Sequence, residues 1–377
     1  MRGEQGEMTS ALPADWRSGT FVGRMLTEAG PSPVLVVRGA AFDMSTVAPT
    51  VAAVIERGDF SGTGGAPIAD FSLDSVDLIS PVDLQCVKAC GVTFAVSALE
   101  RVIEERGRGD PGAASAIRER LEARVGGSIR GVVPGTPEAA ALKQALIDDG
   151  LWSQYLEVAI GPDAEVFTKA PVLATVGPNA DIGIRSDSTW NNPEPEIALL
   201  VDNSGKTVGA MLGNDVNLRD FEGRSALLLG KAKDNNASCS LGPLVRLFDD
   251  SFTIDDVRTA QVALRIVGED GYVLEGASNM AEISRDPLDL VRQTLSEHQY
   301  PDGFALFLGT LFAPVQDRDD PGRGFTHKIN DIVSIESAKL GRLVNRVVTS
   351  RDAAPWQVGI GALMTNLAQR GLLEKTQ

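Results

Sequence analysis

The sequence predicts an α+β fold, in which a small β-rich region is followed by a helical segment and then by a larger β-rich domain. Short runs of strand composition, such as FVGRML and PVLVVRG, occupy the first 85 residues. Apolar residues then recur at helix spacing, as in FAVSALERVIEERG. Beyond about residue 155 the chain returns to short β-type runs separated by Gly, Pro, Asn and Asp.

These changes of pattern indicate two domains. We expect an N-terminal β-rich domain over residues 1–85 and a main domain over residues 86–377. The helical segment should cover about 95–150, with apolar side chains on one helix face and charges on the other. A further helix is predicted for DPLDLVRQTL.

Composition limits the function classes. A net charge of -16 and a pI near 4.7 argue against a nucleic-acid partner, because phosphate binding needs clustered Lys and Arg. The longest apolar stretch, GFALFLGTLFAPV, is shorter than the roughly 20 residues that span a bilayer. The first ten residues lack the apolar core of a secretory signal, and three cysteines suit a reducing compartment. We therefore expect a soluble, cytoplasmic protein without a membrane partner.

The chain has only two histidines. His298 and His327 both lie beside turn residues, where a solvated loop side chain is expected. A histidine-rich zinc site or a Ser-His-Asp triad is therefore hard to build. The sequence favours chemistry that runs on carboxylates, lysines or a hard cation.

The acidic motif NNPEPEIALL places Glu194 and Glu196 two positions apart, so in a strand both face the same side. The following stretch, to GNDVNLRD, predicts a hairpin that turns near Ser204-Gly205. A two-residue loop places Asp215 opposite Glu194 on the glutamate face, and a three-residue loop turns Asp215 to the other face. Both registers stay open from the residues alone.

Three converging carboxylates with no His or Cys favour Mg²⁺, Mn²⁺ or Ca²⁺, and open positions favour Mg²⁺. The alternative is that these acids are exposed at a strand end. Two polar features support a site: GKAKD carries Lys231 and Lys233, and FLGTLF embeds Thr310 among apolar residues. A buried hydroxyl there would need a hydrogen-bond partner.

In their order, these segments resemble the fumarylacetoacetate hydrolase superfamily. The elements here are Glu194-Pro195-Glu196, Asn214-Asp215 with Arg219-Asp220, Gly230-Lys231 with Asp234, Leu241-Gly242-Pro243, and Gly309-Thr310. The resemblance implies a β-roll of mixed sheets, often with a separate N-terminal domain, and a homodimer or homotetramer.

The same resemblance implies roles for individual residues. Glu194, Glu196 and Asp215 would bind Mg²⁺, with Mn²⁺ as an alternative. Lys231 would be the active-site lysine, and Lys233 would share its face if the segment is extended. The substrate-binding candidates are Thr310, Arg185, Lys169 in FTKAP and Ser97.

Ser97 stands where the hydrolase members have a histidine in the pattern G-x-N-Y-x-x-H-x-x-E, while Glu100 matches the glutamate. Without that imidazole there is no obvious base to activate water. The stretches ACGVTFAVSALE and GNDVNLRDFEGRS resemble the 2-keto-3-deoxy-pentonate dehydratase branch more closely.

The resemblance therefore implies dehydration of 2-keto-3-deoxy-D-xylonate, or of its L-arabinonate epimer, to 2,5-dioxopentanoate through a metal-stabilised enolate. Lys231 is the candidate base at C3 and Glu100 assists the leaving hydroxyl, and the two roles are exchangeable. The alternatives are an acylpyruvate hydrolase or an oxaloacetate decarboxylase on the same scaffold, or a metal-stabilised binding protein without activity.

Overall fold

A computed structural model describes residues 11–69, 71–72, 76–113, 117, 132–312 and 314–373. Within the predicted helical segment, residues 114–116 and 118–131 lie outside the described part.

The strands are β1 (Thr20–Thr27), β2 (Gly30–Val37), β3 (Ala40–Asp43), β4 (Ala66–Ile68), β5 (Asp77–Ile79), β6 (Cys86–Gly91), β7 (Glu165–Ala170), β8 (Asp181–Ile184), β9 (Asn191–Asn192), β10 (Pro195–Val201), β11 (Thr207–Asp215), β12 (Asn217–Leu218), β13 (Cys239–Leu247), β14 (Gln261–Val267), β15 (Val273–Asn279), β16 (Phe304–Phe307), β17 (Ile332–Ser337) and β18 (Gly341–Thr349).

The α-helices are α1 (Val51–Arg57), α2 (Ala95–Gly107), α3 (Pro137–Asp148), α4 (Gln154–Ile160), α5 (Arg219–Glu222), α6 (Leu229–Lys233), α7 (Ile254–Arg258), α8 (Pro287–Leu295) and α9 (Ile360–Gln369). The α+β prediction and the helix predicted in DPLDLVRQTL are confirmed. Among the described residues, no helix combines the length and apolar character needed to cross a membrane.

One large mixed sheet organises the molecule. Its order is β4-β3-β2-β1-β13-β11-β10-β16-β6-β7, and β5 also pairs with β1. A second sheet has the order β15-β14-β17-β18-β8, and β9 and β12 form a short ribbon. Because β1 pairs with β13, the N-terminal strands continue the sheet of the main domain. The predicted domain boundary at residue 85 therefore stays a prediction.

The hairpin strand β10 lies at the centre of this sheet and is buried along its whole length. Ile197 and Leu199 belong to the core cluster shared with the second sheet, whereas Ala198 and Leu200 belong to the cluster shared with α1. Alternate side chains thus pack against opposite layers, as period-two alternation requires. This burial on both faces holds the start of β10 in a fixed position.

The turn of the β10–β11 hairpin combines both predicted alternatives. The Asp202 backbone N–H donates to the Lys206 carbonyl at 2.9 Å, which leaves a three-residue loop. Val201 pairs with Thr207 but Leu200 pairs with Gly209, so one extra residue bulges from β11. The bulge restores the register that a two-residue loop would have produced.

The solvated-loop prediction for His327 is wrong. Its side chain is buried, and its Nδ1 lies 3.4 Å from an Asp331 carboxylate oxygen. Burial lowers the pKa of His327 from its usual value, although hydrogen bonding to Asp331 opposes the shift. The Arg318 guanidinium pairs with the same carboxylate of Asp331. Asp331 thus anchors the chain that precedes β17. His298 is exposed, as predicted.

Candidate active site

Three carboxylates converge beside the start of β10. Glu194, Glu196 and Asp215 are each only 1% exposed, and one oxygen atom from each lies within 4.8 Å of the others. The Asp215 backbone N–H donates to the Glu194 carbonyl at 3.1 Å, which places these two residues opposite each other. Opposite residues of an antiparallel pair share a face, so the three side chains meet. The exposed strand-end alternative is therefore wrong.

The segment that follows β16 fixes the carboxylate of Glu196. The Gly309 backbone N–H donates to one oxygen at 2.8 Å, and the Thr310 hydroxyl donates to the other at 3.1 Å. Gly309 has a φ of 104°, and a Cβ there would lie 1.9 Å from the Thr93 hydroxyl oxygen. Only glycine therefore fits this approach. The embedded hydroxyl of Thr310 has the partner that its burial requires.

Three cationic side chains surround the carboxylates. The Lys233 ammonium contacts Glu194 and lies 3.1 Å from an oxygen of Asp215. The Lys169 ammonium lies 2.7 Å from the other Asp215 oxygen. The Arg101 guanidinium pairs with the remaining oxygen of Glu194. Each cation is almost fully buried, so the carboxylates are compensated inside the protein.

The pKa values of Glu194 and Glu196 shift in opposite directions. Burial alone would raise the pKa of Glu194, but Lys233 and Arg101 lower this pKa to about 2. Burial and the negative charges of Asp215 and Glu194 hold the pKa of Glu196 well above its ordinary value. Burial would lower the pKa of Lys233, but Asp215 and Glu194 raise it. Lys233 is therefore an ammonium in this arrangement.

This donor set fits a hard divalent cation. It offers carboxylate oxygens from three residues at close range, without nitrogen or sulfur ligands. Burial together with the negative charges of Asp215 and Glu194 raises the pKa of Glu196, and the charge of Lys233 does not offset this rise. A divalent ion among these oxygens would relieve that repulsion.

Two further buried carboxylates, outside the cluster, contact Arg101. Its guanidinium bonds Glu104 at 2.7 Å and lies 3.2 Å from Glu222. Arg219 in turn lies 3.1 Å from Glu104. This network connects α2 and α5 with the metal-ligand candidate Glu194, so both helices help to position it.

A further carboxyl group at this site is Glu165, the first residue of β7. It lies opposite Gly91, where a Cβ would come within 1.9 Å of its Oε2, so the missing side chain leaves room for the carboxyl. Burial and the charge of Glu222 raise the pKa of Glu165 to about 7, although Arg101 and Lys233 oppose the shift. A carboxyl with this pKa exchanges protons at neutral pH.

Comparison with known proteins agrees with this geometry. Residues 153–348 match the model of the family described as fumarylacetoacetate (FAA) hydrolase C-terminal. The chain belongs to this family. Within it, two curated relatives are each 32% identical to this chain.

The first relative is a 2-dehydro-3-deoxy-D-arabinonate dehydratase of Saccharolobus solfataricus, matched over 187 residues that cover 50% of this chain and 59% of the relative. The second is a probable 2-keto-3-deoxyxylonate dehydratase of Haloferax volcanii, matched over 195 residues that cover 52% of this chain and 64% of the relative. The chain thus spans about three fifths of the length of these relatives.

Solved structures show the same fold. A 2-keto-3-deoxy-D-arabinonate dehydratase complexed with magnesium and 2,5-dioxopentanoate has a TM-score of 0.64 at 21% identity, covering 87% of this chain and 99% of that chain. A fumarylacetoacetate hydrolase from Exiguobacterium antarcticum has a TM-score of 0.58 at 16% identity, covering 88% and 99%. The predicted family and its mixed-sheet fold are therefore confirmed.

The prediction that Lys231 and Lys233 share a face is wrong, because they lie in the helix α6 and not in an extended segment. Residues two apart on a helix point in very different directions. Lys233 enters the carboxylate cluster. Lys231 is exposed, with its ammonium 5.1 Å from the ring centroid of Phe221, and lines a surface cavity of about 450 Å³ with Asp187. Lys233, and not Lys231, therefore contacts the carboxylates.

The remaining predicted residues lie at different depths. Ser97 is buried in α2 and its hydroxyl donates to the Thr310 carbonyl at 2.6 Å. Glu100 is buried one residue before Arg101. Arg185 is partly exposed and forms a two-bond ion pair with Asp187, at 2.7 and 2.8 Å. Its contact with a substrate stays a prediction.

Sequence reasoning missed Arg101 and Glu165. Arg101 lies in the helical segment, whose charges were expected on the face opposite the apolar side chains, but α2 buries both Arg101 and Glu104. No role was predicted for Glu165. A usable signal for Arg101 was the Glu104 partner one helical turn later, which forms an i,i+3 pair. For Glu165 the signal was its position four residues before Lys169 on the same strand face.

Proposed function

We propose that this chain is a hydro-lyase that depends on a divalent cation, preferably Mg²⁺, and converts 2-keto-3-deoxypentonate to 2,5-dioxopentanoate and water. The observation that carries the proposal is the buried cluster of Glu194, Glu196 and Asp215 with the lysine Lys233 inserted into it. The names of the two curated relatives support the same reaction and substrate class.

The cation would be held by the three carboxylates, and its chemistry is to polarise the 2-oxo group and so acidify the protons at C3. Lys233 is the candidate group for taking a C3 proton. Its ammonium form is stabilised by Glu194 and Asp215, and this stabilisation weakens when a cation neutralises the same oxygens. The pKa of Lys233 would then fall, so a larger fraction of its side chain would be the neutral amine that can accept a proton.

Departure of the C4 hydroxyl requires a proton donor. Glu165 fits this role because its pKa of about 7 leaves a large protonated fraction at neutral pH. Glu100 is the second candidate, and it is buried on α2. The C4–O bond breaks, the carboxyl proton leaves with the oxygen as water, and a C3–C4 double bond forms. Moving a proton from C5 to C3, and ketonising the resulting enol, gives the C5 aldehyde.

Ser97 argues against hydrolysis. Its hydroxyl is committed to the Thr310 carbonyl, and a serine has no basicity near neutral pH. Dehydration needs one base and one acid but no activated water, which agrees with the residues present. The bond from Ser97 holds the backbone of Thr310 in place, and the hydroxyl of Thr310 donates to Glu196.

The test supplies both C4 epimers of 2-keto-3-deoxypentonate with Mg²⁺ and then with a chelator. The product 2,5-dioxopentanoate is followed through a coupled semialdehyde oxidation. We expect Mg²⁺-dependent product from at least one epimer. No product from either epimer with Mg²⁺, or full activity in the chelator, would refute the proposal.

A further inference from the structure

The ribbon of β9 and β12 continues the register of the β10–β11 hairpin. Pro195 pairs with Asn214, and Asn192 pairs with Asn217. Asn192 lies three residues before Pro195, and Asn217 lies three residues after Asn214. No residue is gained or lost between them, so the alternation of faces is preserved.

This register places two asparagines on the carboxylate face. Asn192 precedes Glu194 by two residues, and Asn217 follows Asp215 by two. Side chains two residues apart on a strand share a face and are about 7 Å apart along it. The amides of Asn192 and Asn217 thus form the next row beside the carboxylates. Asn191, one residue earlier, belongs to the other face.

Both amides are buried and incompletely hydrogen-bonded. Asn192 and Asn217 have no exposed surface. Neither side-chain atom of Asn217 has a hydrogen-bond partner, and the same is true of the side-chain oxygen of Asn192. The Asn192 side-chain nitrogen donates to the Pro193 carbonyl at 2.8 Å. Folded proteins rarely bury amide groups without partners, so each such group calls for an explanation, and a bound group is one.

We propose that Asn192 and Asn217 bind the hydroxyl-bearing end of the substrate and select polyhydroxy 2-oxo acids over simple ones. This inference rests on the proposed function. An amide both donates and accepts hydrogen bonds, which matches a hydroxyl group, whereas the adjacent carboxylates only accept. A 2-oxo acid held at the carboxylates would extend C4 and C5 along the strand direction towards the next row. A ligand without hydroxyls would leave the buried amides unpaired, and this disfavours it.

The substitution Asn217→Leu separates a binding role from a structural one. Replacing an unpartnered buried amide with an apolar side chain of similar volume removes an unsatisfied polar group, so the melting temperature should not fall. Binding of the hydroxylated substrate should weaken roughly 10-fold through lost hydrogen bonds. Asn192→Leu should act in the same direction. Asn191→Leu is the matched control, because it changes an adjacent buried amide on the opposite face.

The measurement compares two ligands on the Mg²⁺-loaded protein. These are KM for 2-keto-3-deoxypentonate and the inhibition constant of pyruvate, a 2-oxo acid without hydroxyls. The pyruvate-induced shift of the melting temperature gives a second measure of its binding. We expect Asn217→Leu to raise KM roughly 10-fold and to leave pyruvate binding within about 2-fold, while Asn191→Leu leaves the ratio of the two constants unchanged.

Equal weakening of both ligands, or no change in either, would overturn the proposal. If Asn217→Leu does not fold, Asn217→Ala is measured by the same ratio, because it also removes both the donor and the acceptor of the amide. If the wild-type protein does not turn over the pentonate, the proposed function fails. The dissociation constants of the same two ligands, measured by calorimetry, then still decide whether the amides recognise hydroxyls.

Discussion

Replacing Arg101 by methionine should destabilise the protein strongly. The guanidinium pairs with Glu104, Glu222 and Glu194, and each of these carboxylates is buried. Removing one partner of a buried ion pair typically costs about 3 to 5 kcal/mol, because the other charge stays buried without compensation. With a urea dependence of about 3 kcal/mol per M, the unfolding midpoint should fall by about 1 to 1.7 M.

The assay is urea unfolding at neutral pH without added metal, followed by circular dichroism. Arg265→Met is the matched control, because Arg265 pairs with Glu275 at a similar distance, 3.1 Å, but both side chains are more than half exposed. Exposed pairs contribute at most about 1 kcal/mol, so this variant should unfold near the wild-type midpoint. If Arg101→Met shifts the midpoint no more than Arg265→Met does, the buried network does not stabilise the site.

Three further predictions concern the carboxylates and Lys233. Glu196→Gln should lose Mn²⁺ binding in calorimetry without lowering the melting temperature, because the raised pKa of Glu196 means that its charged form costs stability above its ordinary pKa; unchanged Mg²⁺-dependent turnover would contradict the ligand assignment. The rate should fall as pH rises through about 7, where Glu165 loses its proton, and Glu165→Gln should lower kcat roughly 100-fold or more and remove that limb; an unaltered pH profile would exclude Glu165 as the acid. Lys233→Met should leave Glu194 and Asp215 with one cationic partner each, so Mg²⁺ should raise its melting temperature more than that of the wild-type protein; equal shifts would show that the ammonium and the cation do not share these oxygens.

The convergence of the acidic residues was predictable from strand alternation, but the turn that produces it was not. The loop from Asp202 to Lys206 contains Asn, Ser and Gly, which suit turns of either length. The three-residue loop by itself would have turned Asp215 away from Glu194. The bulge between the pairs of Leu200 and Val201 cancels that shift, and no local signal in the sequence marks it.

The buried charges escaped prediction for a different reason. Charged side chains in a helix normally face solvent, so Arg101 and Glu104 resemble a polar helix face. The partner that makes Arg101 tolerable in the interior, Glu194, lies 93 residues away in the chain. Only the tertiary fold brings the two together. The same applies to Lys233. Its side chain points away from that of Lys231 because both lie in a five-residue helix, which the polar, turn-rich composition of this segment did not predict.

The contacts of the three cations indicate which of them can move. Arg101 also bonds two carboxylates outside the cluster, and Lys169 also donates to the Val216 carbonyl at 3.2 Å and to the Lys233 carbonyl. Among the described residues, the hydrogen bonds of the Lys233 ammonium go only to Glu194 and Asp215. Its release therefore costs the fewest contacts when a divalent cation takes those oxygens. Lys233 is thus the side chain that a divalent ion would displace most easily from the carboxylates, and it is also the candidate proton acceptor. This links metal binding to the proposed chemistry.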